Sequence, residues 1–218
     1  GSGIVPGGVC SAARAVAESL DLPDVLGRIT TALRLVVPVD AMGIWYAEAP
    51  DLDDPRLLDA LRSLSPAAQL QMDSVVVPHS EGPAPLLTVI MRGSPLGEGR
   101  KALPDVSQTW DWDDAEGALA NCRRSLLVTE MFGEARTPRE RWSAMSRVVA
   151  ELTKLTHPIV LSWPQSQRVG DPANFAADDL DGLINVRYFS IANEPGTVVM
   201  DTLGLHVFGL PDVQCHFR

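Results

Sequence analysis

The chain has 218 residues, 45% of them hydrophobic, enough to bury a substantial core in one large domain or in a domain with an appendage. Its 18 Lys and Arg against 28 Asp and Glu leave a formal charge of −10, which with no local basic patch argues against nucleic-acid and anionic-membrane partners. Cys10, Cys122 and Cys215 make an odd count without paired spacing, so no disulfide scaffold is expected and a cytoplasmic location is.

The first segment reads helical. Ala12, Val16 and Leu20 share a face, Asp21 and Pro23 open a second helix, and Val25, Leu26, Ile29 and Leu33 continue the apolar stripe until Pro38 ends it. Gly43 to Ala47 has strand character. Asp54-Pro55 starts a short helix that turns Leu57, Leu58, Leu61 and Leu64 inward and stops at Pro66. Residues Gln69 to Val77 and Leu86 to Met91 are β-branched and apolar, and they predict an antiparallel pair with an irregular connection. Residues 93–104 read as a loop. Asp113 and Glu116 have the spacing of a capping box for a brief helix through Ala118, Leu119 and Cys122.

Arg124 to Met131 reads as a central strand. The clearest helix runs from Pro138 to Thr156, with Trp142, Met145, Val148, Val149, Leu152 and Leu155 on one face. Strands are expected at Ile159 to Trp163, Ile184 to Ile191 and Thr197 to Thr202, with Pro164 to Asp181 as a long acidic loop. In the closing segment, Val213, Cys215 and Phe217 are expected to face a core, with Gln214, His216 and Arg218 on the other side. The pattern as a whole predicts an α+β fold: a mixed, mainly antiparallel sheet with helices packed on it. Residues 1–42 form an N-terminal helical segment and residues 43–218 the α+β domain. Apolar runs such as Leu33 to Val37 fall far short of the roughly 20 residues that a membrane-spanning helix needs. The stop at Arg218, directly after an alternating strand pattern, gives the expectation of a truncated domain.

Three stretches resemble the bacterial family catalogued as domain of unknown function 4261. They are Pro104-Asp-Val-Ser-Gln-Thr-Trp-Asp-Trp112, Asn185-Val-Arg-Tyr-Phe189, and Met200-Asp-Thr-Leu-Gly204 with Gly209-Leu-Pro-Asp-Val-Gln-Cys-His-Phe217. The resemblance covers about residue 43 to the end and implies a fold rather than a reaction. Residues Ala15 to Leu22, Leu26 to Ile29 and Val39 to Trp45 are similar to the opening helix and first strand of GAF sensory domains.

Four polar groups of reactive type, Asp201, His206, Asp212 and His216, crowd the last eighteen residues together with Gln214 and Cys215. Imidazole, thiolate and carboxylate all suit zinc. Yet Cys215 and His216 point to opposite faces of an extended strand, and no paired-Cys or His-Glu-x-x-His motif accompanies them, so no metal and no cofactor is expected. Asp212 and His216 could orient one another for acid–base chemistry, with Thr202 or Ser190 as a hydroxyl, but no nucleophile elbow accompanies them and no catalytic residue is assigned. Gly204 and Gly209 fit tight turns. Trp110 and Trp112, set among Asp105, Asp111, Asp113, Asp114 and Glu116, have the character of contact anchors for a basic protein, or of indoles covering a core edge. The candidate binding residues are therefore Trp110, Trp112, Asp201, Asp212, Gln214 and His216. The expected function is a non-enzymatic interaction module, an immunity or accessory protein; a GAF-like small-molecule sensor and a hydrolase using Asp212 and His216 are the alternatives.

Overall fold

The structure, a computed structural model, describes residues 41–217 apart from 49, 83–85, 94–105, 110, 181 and 191–193. The chain divides into two units, Gly1–Pro38 and Val39–Arg218. The expected N-terminal helices, the loop after Gly93, Trp110 and Arg218 lie outside the described residues.

Among the described residues, ten strands and three α-helices build an α+β fold. Seven strands form one sheet in the order β2-β3-β4-β5-β1-β6-β7: β1 (Ala41–Tyr46), β2 (Gln69–Gln71), β3 (Ser74–His79), β4 (Leu86–Arg92), β5 (Arg124–Met131), β6 (Val160–Trp163) and β7 (Arg168–Gly170). Three more form a second sheet in the order β10-β9-β8, from β8 (Asn185–Ser190), β9 (Val198–Leu203) and β10 (Gln214–Phe217). Every strand pairing among the described residues is antiparallel.

The long helix α3 (Pro138–Thr156) is set by local chemistry. Thr137 accepts a hydrogen bond from the Glu140 amide while Glu140 accepts one from the Thr137 amide, and Pro138 fills the first turn, where its missing N–H costs nothing. Trp142, Met145, Val148, Val149 and Leu152 are buried, as the spacing predicts, whereas Leu155 is exposed and lines an open cleft. Together with α1 (Pro55–Leu64), capped by Asp54, it covers one face of the large sheet. Leu57 and Leu61 meet Met42, Ile44, Val75, Ile90, Leu126 and Leu161 there.

On the other face, α2 (Ala115–Ala120) packs Ala118 and Leu119 against Trp45, Val160 and Val169. Its cap differs from the expected capping box: the helix begins after Asp114, whose side chain makes no capping hydrogen bond. All six residues of β1 are buried because the strand is sandwiched between these two layers. Gly43 is part of that arrangement. The Trp45 indole donates to Ser162 Oγ at 2.8 Å across the sheet, and a Cβ on Gly43 would stand 2.8 Å from the indole nitrogen and 2.5 Å from the hydroxyl.

Two expected segments are subdivided. Residues 69–77 are a hairpin rather than one strand, since Met72, at φ 53, and Asp73 turn the chain between Gln71 and Ser74. The expected acidic loop contains β7, which returns along β6 after a tight turn with Gln167 at φ 53.

Candidate functional site

The small sheet collects most of the candidate residues. In its register Arg187, Asp201 and Gln214 stand side by side across the three strands, with Phe189, Val199 and His216 forming the next row on the same face. Arg187 grips Asp201 with both arms of its guanidinium, Nε to Oδ1 at 2.9 Å and Nη2 to Oδ2 at 2.6 Å. The two side chains are only 17% and 21% exposed, so this pair is desolvated enough to fix strand register. Arg187 also donates to Gln167 Oε1 at 3.1 Å, and its guanidinium carbon lies 5.0 Å from the Phe189 ring centroid.

Asn185, 1% exposed, donates to the Gln167 carbonyl at 3.4 Å, so the β6–β7 turn is the post against which this face rests. Gly204 sits so close to Leu183 that a Cβ would meet its carbonyl oxygen at 1.9 Å, and its φ of 107 independently requires glycine. Together these contacts anchor the small sheet to the large one.

Asp212 is not turned toward His216. Its Oδ1 accepts from the Leu205 amide at 3.1 Å and from Thr202 Oγ1 at 3.4 Å, which closes the turn between β9 and β10. Gln214 Nε2 and His216 Nε2 lie 2.9 Å apart on the exposed strand. Asp201 is thus held by Arg187, Asp212 by a turn, and Gln214 and His216 by each other. His206 occupies the short 3-10 turn Leu205–Phe208 between Gly204 and Gly209, whose positive φ values fit the tight turns expected there. Among the described residues no group of three or more His, Cys, Asp or Glu could hold a metal ion.

Trp112 packs against the cluster of Trp45, Leu119, Cys122 and Val169, the core-edge position that was one of its two expectations. Its neighbour Asp111 accepts a hydrogen bond from Arg168 Nη2 at 2.6 Å. Trp110 lies outside the described residues.

The expected core face of the last strand is not buried. Val213 and Phe217 are 53% and 50% exposed, because the layer that would cover that side of the small sheet is not among the described elements. In register they continue Val186 and Thr202, Tyr188 and Met200, and Ser190 and Val198, forming an outward face that carries no charged side chain. Sequence reasoning missed Val186 and Tyr188 as surface groups, although the alternation in Asn185-Val-Arg-Tyr-Phe189 carries the signal.

A second feature is an open cleft of about 520 Å³ between the start of α1 and the end of α3, lined by Glu48, Asp51, Asp53, Asp54, Leu57 and Leu155 among others. Asp51 pairs with Arg92 at 3.0 Å and Asp54 with Arg56 at 2.8 Å. Hydrogen bonds from the Arg56 side chain and amide hold the Asp54 carboxyl below its ordinary range. No helix among the described residues is long and apolar enough to cross a membrane. Comparison with protein-family models, curated proteins and solved structures finds no match to this chain.

Proposed function

We propose that the chain is a non-enzymatic interaction module for a basic protein partner. The observation that carries this reading is the uncharged outward face of the small sheet, where Val186, Tyr188, Val213 and Phe217 stand between 43% and 53% exposed. Clustered apolar and aromatic groups of this kind are characteristic of binding surfaces, and the chain's charge of −10 favours a cationic partner at long range. The acidic lining of the α1–α3 cleft adds to the same field. Engagement of Asp201 and Asp212 in structural hydrogen bonds supports a non-catalytic role over a hydrolase built on Asp212 and His216.

The test is affinity capture with identification and stoichiometry of the captured protein. One basic protein should be retained in stoichiometric amount, more weakly at high salt. Tyr188→Lys should abolish retention while leaving the melting temperature unchanged. Equal retention by the folded variant, or an acidic partner indifferent to salt, overturns the proposal.

A further inference from the structure

We draw no further inference here: the strongest candidate, the small cleft beside β7 lined by Trp112, Trp163 and Phe175 with Asp111, Asp171 and Asp179, rests on a cluster of acidic residues of which Asp111 is already paired with Arg168, and nothing else in the structure points to a ligand there.

Discussion

His79 is the titratable side chain most clearly reset by its surroundings near neutral pH. Burial first and then the Arg136 guanidinium push its pKa down to about 4, against a smaller opposing pull from Glu81, with Arg147 adding least. Its Nε2 lies 2.8 Å from Thr88 Oγ1, a fully buried hydroxyl on the neighbouring strand. The folded state therefore resists protonation that the unfolded chain accepts near its ordinary value of 6.5. Stability should be unaffected by this residue above that value and should fall as pH drops from about 6.5 toward about 4. Denaturant titrations at successive pH values check this: His79→Gln should flatten the slope in that window relative to the parent chain. An unchanged slope means the histidine is not the group responsible.

At the level of elements, the fork between Arg187 and Asp201 joins β8 to β9 and, through Gln167, both to the large sheet. Asp201→Asn leaves a half-buried guanidinium without its countercharge and should cost about 1–3 kcal/mol in equilibrium denaturation. Arg187→Met combined with Asp201→Leu should recover part of that loss, since it removes both charges together. A single variant as stable as the parent would show that the pair carries no stability.

These elements also mark what the sequence made legible. The Pro138–Thr156 helix and the Arg124–Met131 strand are legible to the residue; in the helix, a proline at the first turn and a regular apolar stripe agree. The hairpin turns at Met72 and Gln167 were missed because neither is Gly, Asn or Asp, although both adopt positive φ. The candidate site was harder to read. Alternation separated the two faces of β10, but which face is covered depends on contacts from distant segments, and these leave Val213 and Phe217 exposed. Likewise the partner of Asp201 is a cross-strand arginine fourteen positions earlier, a pairing set by register and not by local spacing.

For the whole molecule, stability is unevenly distributed. The large sheet is covered by helices on both faces, with Ile44, Ile90, Leu126 and Val128 fully buried, whereas in the small sheet Val186, Tyr188, Phe189, Val213 and Phe217 are all exposed. Native-state hydrogen exchange should therefore show its slowest amides in β1, β4 and β5, with β8 to β10 opening at lower free energy. Uniform protection across both sheets would contradict this.

The position of β1 has a consequence during synthesis. Ala41–Tyr46 leaves the ribosome before either of its neighbours, Arg124–Met131 and Val160–Trp163, which are translated long afterwards. At about 5–20 residues per second the nascent strand waits several seconds for the first of them. During that interval Met42, Ile44 and Trp45, destined for complete enclosure, have no native sheet to join, so newborn chains should depend on holding factors most while residues 47–123 are being added.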